Sequence, residues 1–378
     1  MRFCTRPGVV VAAALIVLGG CKTTTSARGL GGRRLAAAPT AGATMTTTDP
    51  VVEPLPPVQL VRTPTQVELA SSGPIVLGAL ITAPAHEKGP GIVIVPGGSD
   101  VSKEGTRKGD GVVVYPAPAH TGSLWSDAFA ARGAIVLTYD KRTCGPNDTA
   151  SCHKNPQVDV DAEGPGALAK DVDAACALVR KAPGFDGRLV LWAHGQAAQV
   201  ALSSSCAQEA TAIVLLSPIP RAIDAVLVGA LTDRQQQSEA RAKAASTPEE
   251  RSFLLDQASA LKNLAGTKAA GFASMKSGKF AKDARVDGAT IAFWLGWMSL
   301  TERTRALLEP LRSKVVIVVG AGDQQLSSPD RKAAQALPAT RVVVVEADHH
   351  LLVQGALDDE VVQQIADAID VVIGVPVS

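Results

Sequence analysis

One segment in the middle of the chain constrains the fold more than any other. The run Arg188-Leu-Val-Leu-Trp192 has the composition of a buried strand, Ala193-His-Gly-Gln-Ala-Ala198 that of a sharp turn, and Gln199-Val-Ala-Leu202 that of a helix. A strand that leads directly into a helix is the repeating unit of a parallel sheet with helices on its faces. This segment therefore predicts an α/β fold.

The same alternation of apolar runs and helical patterns continues through most of the chain. We expect a leading antiparallel pair of strands at 65–70 and 75–82. Further strands are expected at 91–96, 134–139, 188–192, 212–216, 314–319 and 341–345, and helices at 123–132, 165–181, 196–206, 329–337 and 358–371. Together these elements predict one domain, at 58–378, with a mostly parallel sheet and helices on both faces.

The amino-acid composition of the sequence changes at 219–310. This segment is rich in Ala, Lys, Gln, Glu and Arg, which favour helix. It lies between the sixth and seventh main strands, and we expect it to form a helical cap. Trp294 and Trp297 either line the entrance to a pocket or pack the cap against the body, and the sequence leaves both interpretations open.

The overall charge gives no reason to expect a polyanionic partner. The chain has 378 residues, 46% of them hydrophobic and 19% charged, with a formal net charge of +1. Nucleic acid is therefore not an expected partner.

The N-terminus predicts export. Arg2 and Arg6 precede a short apolar run, which fits a secretory signal better than a membrane-spanning helix. The run ends in Leu18-Gly-Gly-Cys21, which resembles the bacterial lipobox, so residues 1–21 are predicted to be a lipoprotein signal peptide. The resemblance implies that Cys21 carries a lipid that anchors the protein to a membrane of the cell envelope. A plain signal peptide that happens to contain a cysteine is the alternative.

The segment after Cys21 has the composition of a tether. Residues 22–57 are rich in Thr, Ala and Pro without periodicity, which is typical of a disordered linker. Lys22 comes directly after the cysteine, and by resemblance to enterobacterial sorting it indicates the outer membrane.

The remaining cysteines agree with an oxidising compartment. Cys144 and Cys152 flank a Gly-Pro-Asn-Asp turn and are expected to form a local disulfide. Cys176 and Cys206 fall on two neighbouring helices, where they either pair or stay as buried thiols. The spacings contain no C-x-x-C, so we expect no zinc site, and we expect no cofactor.

Four further motifs fall on the predicted elements in a recognisable order. A glycine loop comes after the strand in Ile92-Val-Ile-Val-Pro-Gly-Gly-Ser-Asp100. Another strand ends in Leu137-Thr-Tyr-Asp-Lys-Arg-Thr-Cys-Gly145, and a third leads into Val318-Val-Gly-Ala-Gly-Asp-Gln-Gln-Leu326. The last motif is Ala347-Asp-His-His-Leu351. With the central strand, turn and helix, these motifs resemble the α/β-hydrolase superfamily. In particular they are similar to exported bacterial members with a Tyr-Asp-Lys-Arg motif, related to serine aminopeptidases and acyl-transferases.

The resemblance implies a catalytic triad in the order nucleophile, acid and base. Gly195 stands where the family has its nucleophilic serine, Asp323 where it has the acid, and His349 where it has the base. The backbone amides of Gly97 or Gly98 and of Gln196 would form the oxyanion hole. The alternatives are that Asp323 only forms an Asx turn and that His349 belongs to a surface pair of histidines.

The absence of a serine at position 195 leads to two functional hypotheses. The leading hypothesis is a catalytically impaired member of the family that binds a small-molecule, acyl or peptide ligand, or a partner. The alternative is a working esterase, acyl hydrolase or peptidase that uses water or another nucleophile such as Ser99. His194 is expected to point away from the site and to serve in packing.

Overall fold

Eight strands form the central sheet of the computed structural model, which describes residues 59–69, 75–85, 88–97, 121–142, 158, 164–281, 283–286 and 289–374. The strands are β1 (Leu60–Leu69), β2 (Ile75–Pro84), β3 (Gly89–Val95), β4 (Ile135–Tyr139), β5 (Phe185–His194), β6 (Ala212–Leu216), β9 (Val315–Gly320) and β10 (Arg341–Val345). Their order across the sheet is β1-β2-β4-β3-β5-β6-β9-β10. Among the described strands of this sheet, β1 with β2 and β2 with β4 pair antiparallel and all other neighbours pair parallel, so the predicted mostly parallel sheet is confirmed.

Helices cover both faces of this sheet. They are α1 (Thr121–Ala130), α2 (Pro165–Val179), α3 (Gln196–Ser203), α4 (Cys206–Glu209), α9 (Ser328–Gln335) and α10 (Asp359–Ile373). Alternate residues of each buried strand face opposite sides. Thus Leu189 and Leu191 of β5 join the core with α2 and α3, whereas Val190 and Trp192 join the core with α1 and α10.

The chain between β6 and β9 is mostly helical, with α5 (Ile223–Ala244), α6 (Pro248–Lys276), α7 (Ile291–Glu302) and α8 (Thr304–Leu308). A short 3-10 turn, Glu309–Lys314, leads into β9. A two-stranded hairpin, β7 (Arg285–Val286) with β8 (Ala289–Thr290), also lies here and was not expected from composition. Trp294 and Trp297 are buried, and the Trp294 indole donates to the Val286 carbonyl at 2.7 Å, so both serve in packing.

The structure corrects the expected length of one helix in the region of α3 and α4, and it answers the open question about a cysteine pair there. The helix expected at 196–206 is interrupted at Ser204, whose backbone is extended and whose hydroxyl bonds the Ala201 carbonyl. Cys206 then begins α4 and is disulfide-bonded to Cys176 of α2. The open question about this cysteine pair is therefore answered by a bond that ties two helices together behind the sheet.

Several expectations fall on residues outside those described. They concern the signal peptide and Cys21, the tether at 22–57, the Cys144–Cys152 pair, Gly98 and Ser99. Within the described part of the chain, no helix has the length and apolarity needed to cross a bilayer.

Candidate active site

Two glycines allow the loops after β9 and β10 to meet. A Cβ atom on Gly320 would lie 2.4 Å from the Asp348 carbonyl oxygen, and one on Gly322 would lie 3.1 Å from that of Ala347. With no side chain in the way, the Gly322 amide donates to the Ala347 carbonyl at 3.0 Å. This contact brings the segments that carry Asp323 and His349 together at the carboxyl edge of the sheet.

Asp323 and His349 form a buried hydrogen-bonded pair. His349 Nδ1 lies 2.9 Å from Asp323 Oδ2, with the Asp323 side chain fully buried and that of His349 only 12% exposed. The other carboxylate oxygen, Oδ1, accepts the amides of Gln325 at 2.7 Å and Leu326 at 3.2 Å. Asp323 therefore forms an Asx turn with one oxygen and binds the histidine with the other, so the Asx turn and the contact with His349 coexist.

The environment of Asp323 favours its ionised form. Burial by itself would raise the pKa of this carboxyl, but the charge of His349 and the hydrogen bonds from His349 and the Gln325 amide hold the pKa well below its ordinary value. The ionised Asp323 accepts a hydrogen bond from the Nδ1–H group, so the imidazole presents Nε2 as its basic nitrogen. This arrangement suits general-base chemistry.

The loop that carries His349 is held in a constrained conformation. Asp348 Oδ1 accepts the amides of His350 at 2.8 Å and Leu352 at 2.9 Å. Leu351 has a φ of 60°, which is unusual for a residue with a side chain, and its side chain is fully buried. Burial of the Leu351 side chain and the turn at Asp348 together maintain this strained backbone. They thereby fix the position of the His349 imidazole.

Gly195 lies at the sharp turn between β5 and α3. Its backbone has φ 57° and ψ −118°, and its amide donates to the Leu216 carbonyl at 2.8 Å. Among the described residues, none but the chain neighbours places a heavy atom within 4 Å of a Cβ atom built at this position. The turn thus has the strained geometry expected there, and the described part of the chain leaves space where a side chain would stand.

The described candidates for an oxyanion hole lie around the same turn. Gln196 is the first residue of α3, so its amide is one of the donors left without a helical partner at a helix start. A Cβ on Gly97, at the end of β3, would be 3.5 Å from the His194 carbonyl oxygen. The structure therefore places both Gly97 and Gln196 beside Gly195.

The expectation that His194 points away from the site is wrong. Its ring lies 4.3 Å from that of His349 and 5.4 Å from that of His350, measured between centroids. The reason is strand alternation: His194 shares a face of β5 with Trp192, on the side from which the loop after β10 approaches. The two-residue period along β5 could have revealed this from the sequence.

Ser217 is a second residue that sequence reasoning missed. It comes directly after β6, is fully buried, has a φ of 42° and donates its amide to the Val318 carbonyl at 2.8 Å. Its hydroxyl falls short of full hydrogen-bond geometry but contributes to lowering the pKa of Asp323. The sequence gives no signal for Ser217 except its position directly after β6.

A metal centre is not apparent in the described ranges, because no three His, Cys, Asp or Glu side chains there are placed to share an ion. The site consists of a buried acid–base pair, a strained turn without a side chain, and two neighbouring imidazoles.

Comparison with known proteins gives one family match. Residues 92–364 match the model of the family described as the alpha/beta hydrolase family. None of the curated proteins matches the sequence.

Among solved structures, the fold is similar to that of alpha/beta hydrolase GrgF from Penicillium sp. sh18, with 13% identity, a TM-score of 0.49, and coverage of 83% of this chain and 99% of that one. It is also similar to Est1E from Butyrivibrio proteoclasticus, with 13% identity, a TM-score of 0.46, and coverage of 82% and 99%.

Proposed function

This chain belongs to the alpha/beta hydrolase family and has its fold, and from that premise we propose that it is a catalytically impaired member which binds a ligand at the former active site. The observation that carries the proposal is the turn at Gly195. Its φ of 57° and the open space around its Cβ position match a nucleophile elbow in which glycine has replaced the serine.

The rest of the site supports ligand binding. The amides of Gly97 and Gln196 belong to the backbone, so they do not depend on a side chain at position 195. His349 has its proton position set by Asp323 at 2.9 Å. A carbonyl or carboxylate group of a small-molecule, acyl or peptide ligand would find amide donors and an imidazole there.

A second candidate function is hydrolysis by activated water, and the intact contact between Asp323 and His349 favours it. His349 Nε2 would accept a proton from a water molecule while the water oxygen attacks the substrate's carbonyl carbon, and the resulting oxyanion would face the Gln196 amide. The tetrahedral intermediate would then collapse with cleavage of the bond to the alcohol or amine leaving group, which takes the proton from Nε2. Ser99, the other nucleophile considered, lies outside the described residues.

Four proteins separate these candidates: the natural chain, Gly195→Ser, His349→Ala and the double variant, each assayed with p-nitrophenyl acetate. We expect the natural chain and His349→Ala to be equally inactive. Gly195→Ser should gain at least about a hundredfold in rate, and the double variant should lose that gain. Turnover by the natural chain that disappears in His349→Ala would establish the second candidate instead.

We further propose that the protein is exported and anchored to the cell envelope, in the outer membrane, through a lipid on Cys21. The basic start, the short apolar run and Leu18-Gly-Gly-Cys21 support this. Globomycin, which blocks the lipoprotein signal peptidase, should leave the precursor uncleaved, and normal cleavage in its presence would indicate a plain signal peptide.

A further inference from the structure

One arginine of α9 holds the loop that carries Asp323. We infer that Arg331 is a positioning residue, which keeps the Asp323 carboxylate in the orientation that pairs with His349. Arg331 lies in the first turn of α9, shortly after that loop. The inference concerns the acid–base pair itself, so it holds whether or not the natural chain turns over a substrate.

The guanidinium of Arg331 contacts both ends of the Asx turn. Its Nη1 donates to the Asp323 carbonyl and, at 2.8 Å, to the Leu326 carbonyl. Within the same turn, Asp323 Oδ1 accepts the amides of Gln325 and Leu326. Two sets of hydrogen bonds therefore fix this turn, one to its carbonyl groups and one to its carboxylate.

The guanidinium is itself held in one orientation. Its Nη2 donates to Ser328 Oγ at 2.8 Å, and the group is partly buried. A guanidinium is planar and its N–H groups have fixed directions, so the contact at Nη2 determines where Nη1 points. The Ser328 amide in turn donates to Asp233 of α5 at 3.2 Å.

The start of α9 gives this arginine a firm support. Ser327 caps the helix by accepting the Asp330 amide at 3.2 Å, and its hydroxyl donates to the Asp330 carboxylate at 2.6 Å. Arg221, which precedes α5, pairs with the same carboxylate at 2.6 Å, and the Asp330 side chain is only 1% exposed. A shift of this helix turn would break these contacts, so they keep Arg331 in place.

The direction of the Asp323 carboxylate matters because one oxygen binds the histidine and the other binds the turn. Oδ2 lies 2.9 Å from His349 Nδ1, while Oδ1 accepts the two amides. A movement of Oδ2 by about 1 Å would break the hydrogen bond to His349. Displacements of that size can reduce a rate about a hundredfold. Loss of Arg331 should therefore release His349 from its fixed tautomer.

Proton NMR tests this inference without any need for activity. An N–H group of His349 that donates to the buried Asp323 carboxylate should give a resolved low-field resonance, assigned by its loss in His349→Ala. Arg331→Met should lose this resonance, and Arg331→Lys should retain it, because the lysine ammonium can still donate to the two carbonyls. Arg305→Met is the matched control, since Arg305 also donates to a backbone carbonyl, that of Ala336 at the other end of α9.

Kinetics in the Gly195→Ser variant provide a second readout. Adding Arg331→Met should lower kcat for p-nitrophenyl acetate at least about tenfold, with KM changed by no more than about twofold. Adding Arg331→Lys should restore most of that kcat, and adding Arg305→Met should leave it unchanged. A purely structural arginine would lower the melting temperature without this split between kcat and KM.

The outcomes are separable from those of the proposed function. A folded Arg331→Met that keeps the resonance would overturn the inference, and so would an equal loss in Arg305→Met. If Arg331→Met does not fold, Ser328→Ala replaces it, because it removes the Nη2 contact and should shift the resonance; an unchanged resonance would again contradict the inference. If Gly195→Ser gains no activity, the proposed function fails, and the NMR comparison still decides the role of Arg331.

Discussion

The back of the site and its front are built differently. Behind the turn, buried polar groups are held by several partners each: Asp323 binds His349 and two amides, and Arg142 binds Asp171 and the Ala167 carbonyl. In front, Gly195 has no side chain, and the described residues leave its Cβ position free of contacts. The buried polar groups behind the turn are therefore needed for the fold to be stable. The turn itself can lose a nucleophilic side chain without loss of core packing. Retention of the acid and base is therefore compatible with a lost activity.

The largest expected effect comes from breaking a buried ion pair at the back. Arg142 comes after β4 within the Tyr-Asp-Lys-Arg motif, and its side chain and that of Asp171 are 1% and 2% exposed. Burial raises the pKa of Asp171 despite the opposing effect of Arg142. Arg142→Met would leave a buried carboxylate without its cation, and should cost about 3–5 kcal/mol in the free energy of unfolding.

The double variant Arg142→Met/Asp171→Leu is the control for this prediction. It removes both charges and should recover most of the lost stability in urea denaturation, because no charge is left unpaired. If the double variant is as unstable as Arg142→Met, packing around the arginine rather than its charge holds the end of β4.

A smaller effect is expected at the front. Gly195→Ala meets no steric obstacle from the residues that the structure describes, but a side chain at a φ of 57° should cost about 1–3 kcal/mol. Gly166→Ala is the matched control, since Gly166 also has open space and lies within α2 without a positive φ. There alanine should be neutral or stabilising by up to about 1 kcal/mol. Equal melting temperatures for the two variants would show that the turn is not strained.

The same division explains which features could be predicted from the sequence and which could not. Strand alternation and small-residue turns predicted the sheet, because these patterns arise from local burial; the strand at 212–216 is found at those residues. The positions of Asp323 and His349 relative to their strands were also predictable, and the structure brings the two together.

The features that escaped prediction have different causes. The role of Ser217 arises from the approach of β6 to β9, and no local pattern encodes it. His194 was assigned to the wrong side although the two-residue period along β5 places it on the face of Trp192, which the loop after β10 approaches. The break between α3 and α4 depends on Ser204, whose hydroxyl competes with the helix for a backbone carbonyl.

The smallest effect should appear at acid pH. The pKa of Asp323 is lower in the folded protein than its ordinary value, so its contribution to stability is complete above the unfolded pKa of about 3.9. That contribution is lost as pH falls toward the folded value. Asp323→Asn should therefore be less stable than the natural chain at pH 5, and the gap should narrow by roughly 1 kcal/mol by pH 3. Thermal unfolding across this range measures the gap, with Glu346→Gln removing an exposed carboxylate as the control. A gap that stays constant would mean that the turn amides, rather than ionisation and pairing with His349, account for the contribution of Asp323, so that the acid–base half of the site would be a purely structural feature.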